Sequence, residues 1–214
     1  MTQRLAEAER RTRDLHGDLQ HRVRGFMAVI GAAVRHSAET TSGFEDHASH
    51  LDGRIGAILR AQLMALRAPS GTVDLHHLVA EELLAHAAVE GPQLSISGPS
   101  IRLAGRAVGI LWLAVHELSV NAVKFGALAT RDGHITVAWR LHSNGTTSVN
   151  LRWIERQGPP MLTERRIGFG TEIIERRLAR ELGGTGAISF TPTGLECRIS
   201  LPVSDEVRVD ETAG

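Results

Sequence analysis

The chain has 214 residues, 42% of them hydrophobic, enough for one large domain or two small ones around a buried core. Its formal net charge is zero and its pI is about 7.2, which argues against a nucleic-acid partner held by phosphate neutralisation. Cys197 is the only cysteine, which excludes an intrachain disulfide and a CxxC zinc site; the charged start from Met1 to Arg13 carries no apolar signal core, and no apolar run approaches the roughly 18–20 residues of a membrane span, so a soluble, cytoplasmic protein without a membrane partner is expected.

Residues 2–67 contain no proline and place apolar side chains at helical spacing: Leu15, Leu19, Val23, Phe26 and Ile30, then Leu51, Ile55, Ile58, Leu59, Met64 and Leu66. Thr40-Thr41-Ser42-Gly43 interrupts the pattern with turn and cap chemistry. Two long helices in a hairpin satisfy this pattern, and their narrow apolar stripes predict pairing with a second copy into a dimeric four-helix bundle. A coiled-coil spacer fits the same spacing. Ala68-Pro69-Ser70-Gly71 then reads as a linker, which divides the chain into a helical region, 1–68, and an α/β region, 73–203.

After the linker, Leu75 to Val89 is expected to be a helix with Asp74 at its N-cap. Leu94 to Ser97 alternates as a short strand, and Ala107 to Phe125 is a strongly apolar helix stopped by Gly126. Ile135 to Leu141 and Val149 to Ile154 alternate on either side of Asn144-Gly145, a hairpin turn. Thr171 to Leu182 reads as a helix ended by Gly183-Gly184, and Ile188–Phe190 with Leu195–Leu201 forms a second hairpin across Thr193-Gly194. The order predicts an α+β fold: an antiparallel or mixed sheet covered by helices on one face. Ser204 to Gly214, polar and acidic, is expected to be a disordered tail.

The segment His116-Glu117-Leu118-Ser119-Val120-Asn121-Ala122-Val123-Lys124 is the most informative. Glu117, Asn121 and Lys124 fall at i, i+4 and i+7, on one face of an otherwise apolar helix. Such a polar stripe suits a Mg²⁺–polyphosphate pair: a neutral amide oxygen for the cation, a compact positive charge for phosphate, and a carboxylate as hydrogen-bond acceptor or base. A stripe facing water has the same spacing. An HExxH zinc motif is excluded, because position 120 is Val.

Gly168-Phe169-Gly170-Thr171 leads directly into a helix, with Arg165 and Arg166 just upstream; such a loop lets backbone N–H groups approach a phosphate. It is neither a Walker A loop nor a Rossmann fingerprint. Trp153-Ile154-Glu155 ends a predicted strand, where a carboxylate could accept a hydrogen bond from an adenine amino group. On the first helix, His21-Arg22-Val23-Arg24 offers an imidazole that is nucleophilic near neutral pH. His47 with His50, or His76 with His77, could nominally chelate a metal, but no carboxylate or Cys completes either set at ligand spacing.

Taken together, these elements resemble the HWE family of sensor histidine kinases, whose ATP domain belongs to the GHKL class. The resemblance runs from about Asp14 to Pro202. His21 to Gly25 resembles the family's His-Arg-Val-Lys-Asn phosphoacceptor segment, and His116 to Leu128 its N-box, with Phe125 in place of Tyr. Trp153 and Glu155 match its Trp-x-Glu motif; Gly168 to Leu182 matches its Gly-Phe-Gly motif and following helix. Gly25 for Asn, Arg24 for Lys and Gln157 for a glycine depart from the pattern.

The resemblance implies a Bergerat-type mixed α/β sandwich, with Mg²⁺ on Asn121. It implies ATP phosphates on Lys124 and the Gly168, Gly170 and Thr171 backbone, adenine on Glu155, and a catalytic pair of Glu117 and the phosphoacceptor His21. It further implies a homodimer that passes phosphate to an aspartate of a response regulator receiver domain, with sensor input from another chain or from a longer kinase. A degenerate scaffold or phosphotransfer protein, and a GHKL kinase acting on serine, share parts of this pattern.

Overall fold

The computed structural model describes residues 44–68, 70–86, 88, 90–160, 168–191 and 194–210, together with Gly17 and Gly31. His21, the rest of the expected first helix, Pro69, Arg165 and Arg166 lie outside the described residues.

Helix α1, Phe44–Arg67, is the second arm of the expected hairpin. It is not set apart by the linker: Ala57, Ile58 and Ala61 are fully buried and belong to the same hydrophobic core as the α/β region. The boundary read between residues 68 and 73 is therefore a break in the helix rather than in the packing. Small residues at 57 and 61 let α1 lie close along its neighbour.

Asp74 closes strand β1, Val73–Asp74, and caps α2, Leu75–Ala85, by accepting from the His77 backbone N–H at 3.1 Å. The helix stops at Ala85, short of the expected Val89. Strands β2, Leu94–Ser97, and β3, Ile101–Leu103, follow; β3 is too short to leave a period-two signal in the sequence. Helix α3, Gly105–Lys124, carries the N-box and is the centre of the core, with Trp112, Leu111 and Leu113 each about 1% exposed. Each such residue contributes about 2 kcal/mol by leaving water.

The stretch Gly105–Ala129 is in fact long and apolar enough to cross a membrane, contrary to the reading that no such run exists. Its apolar window is 72% buried inside the fold, which accounts for that composition.

A 3₁₀ turn, Ala127–Ala129, leads from α3 to the hairpin of β4, His134–Asn144, and β5, Thr146–Arg156, with Gly145 at φ 78° in the turn. The helix expected after the Gly-Phe-Gly motif, here α4, runs from Phe169 through Leu182. It holds a π-helical turn at Ile173–Arg177 and ends on Gly183 in the left-handed region, φ 63°. Strands β6, Thr185–Thr191, and β7, Gly194–Pro202, form the second hairpin.

The main sheet has the order β2-β4-β5-β7-β6, antiparallel except for the parallel β2–β4 pair, which the α3 crossover makes possible. Val149, Leu151, Trp153, Cys197, Ile199 and Leu201 face the helices, while Arg152 and Arg198 face water: one covered face, as the alternation predicts. Burial pushes the Cys197 thiol up to about 12, so it is inert.

The expected disordered tail is a correction. Val207–Val209 forms β8, pairing with β3 in a second sheet of order β1-β3-β8, and Val207 is fully buried. Glu206 reaches the start of α3, accepting from the Ala107 backbone N–H and from Arg106 Nε, both at 3.1 Å. The N-cap residue of α3 is Ala104, which provides no side-chain cap, so a carboxylate a hundred residues downstream satisfies the helix end instead. Replacing Glu206 with Ala should lower the unfolding free energy by about 1 kcal/mol in urea melts; an unchanged midpoint would show that this distant cap is immaterial.

Candidate functional site

The described site residues gather around the C-terminal half of α3. Asn121 and Lys124 are exposed on its last two turns, the open end of an otherwise buried helix. Lys124 Nζ donates to His50 Nε2 of α1 at 2.9 Å. One turn earlier Glu117 is 8% exposed, and Arg54 of α1 donates to it through Nε at 2.7 Å and Nη2 at 3.3 Å. The Arg54 guanidinium also lies over the Phe169 ring, 4.1 Å from its centroid. Arg54 thus links α1, the polar face of α3 and the Gly-Phe-Gly motif. Nothing in the sequence marks it beyond a charge within an apolar helical pattern.

The two glycines of that motif do different things. A Cβ on Gly170 would stand 2.9 Å from Glu117 Cβ, so glycine permits α4 to press against α3. At Gly168, the N-cap of α4, a Cβ would meet no described atom within 4 Å. Thr171 is nearly buried in the first turn. The steric need is therefore at Gly170, whereas no described residue crowds Gly168.

Glu155 is not at an open strand end. It is 2% exposed, and accepts from the Ala127 backbone N–H at 2.9 Å and from the Trp153 indole N–H at 3.0 Å. The Trp and Glu of the motif thus bond to each other and hold the turn that follows α3. A Cβ on Gly126 would fall 1.9 Å from Glu155 Oε2, and one on Gly158 would fall 2.9 Å from the Gly126 carbonyl carbon. These contacts set the end of the N-box helix directly against the end of β5.

Burial raises the Glu155 carboxyl above its ordinary value of 4.5, against the lowering effect of the bonds from Ala127 and Trp153. A group raised in the folded state favours folding most below its unfolded value and loses that contribution as pH climbs through the folded value. Urea melts from about pH 4 to about pH 7 should therefore show Glu155→Gln gaining on the parent chain as pH rises; a constant or opposite difference would contradict the assignment.

Gln157, at the position where the resemblance expects glycine, keeps glycine's backbone: φ is 58°, the only positive value among described non-glycine residues. Thr130 Oγ1 holds it by donating to the Gln157 carbonyl at 2.7 Å. The left-handed region costs a residue with a Cβ about 1–2 kcal/mol, more than the entropy that glycine loses. Gln157→Gly should accordingly raise stability by about 0.5–1 kcal/mol in thermal or urea melts; destabilisation would mean that the Gln side chain contributes more than the strain removes.

Comparison with known proteins follows the same outline. A profile described as HWE histidine kinase matches residues 18–100, which include His21 and end before the N-box. Blue-light-activated histidine kinase 1 of Erythrobacter litoralis is 31% identical over 205 residues, covering 94% of this chain and 55% of that protein. A blue-light-activated histidine kinase of Brucella ovis is 27% identical over 191 residues, 89% of this chain and 39% of that one. The chain thus spans about half, or less, of these curated relatives. The histidine kinase domain of the Erythrobacter litoralis EL346 blue-light activated kinase superposes with a TM-score of 0.53 at 16% identity, covering 89% of this chain and 96% of that domain; it shares the fold. Over residues 18–100 the chain matches the HWE histidine kinase family, and over nearly all of its length it is similar to blue-light-activated histidine kinases.

Proposed function

We propose that the chain is a kinase core that uses Mg-ATP to phosphorylate His21 and then passes the phosphoryl group to an aspartate of a response regulator receiver domain. One observation carries this reading. The polar flank of α3 is left open at Asn121 and Lys124, next to a helix whose N-cap, Gly168, no described residue crowds.

The donor set fits the groups expected there. The Asn121 amide oxygen is accessible, neutral and suited to hold Mg²⁺, which when bound supplies charge neutralisation at the phosphates. The Lys124 ammonium is exposed and would pair with a phosphate oxygen, exchanging its bond to His50 for a stronger charge-assisted one. Backbone N–H groups at Gly168, Gly170 and Thr171 would position the chain of phosphates. Glu155 keeps lone pairs beyond those used by Ala127 and Trp153, and would accept from the adenine amino group. Glu117 would orient the imidazole or take its proton. That role needs Arg54 to release the carboxylate, so the state with Arg54 closed on Glu117 is a resting one. Phosphoryl transfer depends mainly on positioning and charge stabilisation, which two modules meeting transiently can provide.

Leu59, Leu63 and Leu66, 47%, 50% and 70% exposed, line one side of α1 at helical spacing. This stripe supports a homodimer, and the reading as a whole places the protein in the cytoplasm with its receiver partner. A second reading, a scaffold that no longer turns over ATP, is favoured by the Arg54–Glu117 closure and by Gly25. Calorimetry with Mg-ATP separates the two, since a scaffold without a nucleotide site gives no binding heat.

With γ-labelled ATP the chain should acquire label that is acid-labile and alkali-stable. His21→Ala should abolish it, and Asn121→Ala should abolish it without changing the melting temperature. Equal labelling of His21→Ala would reject the phosphoacceptor, and retained labelling of Asn121→Ala would reject the metal role. Acid-stable phosphate on a partner would instead indicate a serine kinase.

A further inference from the structure

A second set of polar side chains converges between α1, α2 and α3. Glu82 on the last turn of α2 and His86, its C-cap residue, stand four residues apart, and His116 meets them from α3. Their ligating atoms all lie within 4.8 Å of one another. Glu82 Oε1 is 2.6 Å from His116 Nδ1 and 3.2 Å from His86 Nε2, so two imidazole nitrogens close on one carboxylate oxygen. The other oxygen, Oε2, accepts from the Trp112 indole N–H and from Arg60 Nη2.

We propose that Glu82, His86 and His116 form a binding site for a divalent transition metal of the zinc class. Two imidazoles and a carboxylate, with a fourth position left to water, are the donor set of open zinc sites. Zinc–ligand distances of about 2.0–2.1 Å place neighbouring donors of a tetrahedron roughly 3.3 Å apart. The Glu82–His86 pair already has that spacing, the Glu82–His116 pair needs to open by less than about 1 Å, and the two imidazoles, within 4.8 Å of each other, need to close by at most about 1.5 Å.

The surroundings serve such a site. Trp112 fixes the non-ligating oxygen, as outer hydrogen bonds orient a metal-bound carboxylate. The Glu82 side chain is fully buried and that of His116 is 6% exposed, whereas that of His86 is 21% exposed, which leaves a path for the ion and a face for its water. Arg60, which also approaches Oε1 at 3.2 Å, is the competing cation. Its side chain is 41% exposed and can turn to solvent when a metal takes that oxygen. Among the described residues no comparable set forms at the histidine pairs that the sequence suggests: His76 is half-buried, with Glu90 at 3.6 Å and the Trp139 ring edge-on to it.

This site is independent of the nucleotide reading, and its test needs no activity. The full chain, free of any affinity tag and stripped with chelator, is titrated with Zn²⁺ by calorimetry and with Co²⁺ by visible absorption, without nucleotide. One equivalent of Zn²⁺ should bind, and Co²⁺ should develop the intense visible bands of a four-coordinate site. His86→Ala, which removes a partly exposed ligand and so preserves the fold, should weaken binding at least tenfold and lose the bands. Glu82→Gln should do the same, and His76→Ala should leave both unchanged. Absence of saturable binding in the parent chain, or equal affinity in His86→Ala, would overturn the proposal and leave Glu82 as the centre of a hydrogen-bonded network only.

Discussion

Everything in this molecule is arranged around the burial of α3. A twenty-residue helix apolar on most of its surface is stable only when covered on nearly every side. The sheet, α2, α4 and α1 provide that cover. What remains uncovered is the last turn and a half, where Asn121 and Lys124 emerge. The candidate nucleotide flank exists because the core stops there, and because the turn after it is held fast.

That turn is held by a buried carboxylate. Glu155 is enclosed at an electrostatic cost, visible in its raised pKa, and compensated by a backbone and an indole donor. Gly126 and Gly158 are required because the strand and the helix end approach too closely for a side chain. The Trp-x-Glu motif therefore acts through architecture before it acts on any ligand: it places the N-box terminus relative to the sheet. Gly170 has the matching role on the other side, letting α4 reach Glu117.

Two ionic contacts join α1 to this arrangement, Arg54 to Glu117 and Arg60 to Glu82. Both end on carboxylates of the helices that follow the linker, α3 and α2. Helix α1 thus bears on α3 through Glu117, one turn before Asn121, and on α2 through Glu82, at the histidine cluster. Any movement of α1 must either carry these carboxylates along or leave them exposed to water, because a buried carboxylate deprived of its cation is strongly destabilising.

Much of the fold could be read from local pattern. The 3.6-residue period marked α1, α3 and α4, Asp74 marked the start of α2, alternation around Asn144-Gly145 marked β4 and β5, and the i, i+4, i+7 spacing placed Glu117, Asn121 and Lys124 on one face. Those features depend on neighbours within a few residues, and so they are written locally. Only the tertiary structure decided that Val207–Val209 joins a sheet, that Glu206 caps α3, that Glu155 turns inward and that Glu117 is held by Arg54. It alone brought His116 to Glu82 and His86. Each of these rests on a partner 28 to 108 residues away, as the separations of 28 for Ala127–Glu155, 63 for Arg54–Glu117 and 108 for Ile101–Val209 show. A lone charge or a three-residue strand has no period to betray it; its place is set by the group it meets once the core has closed.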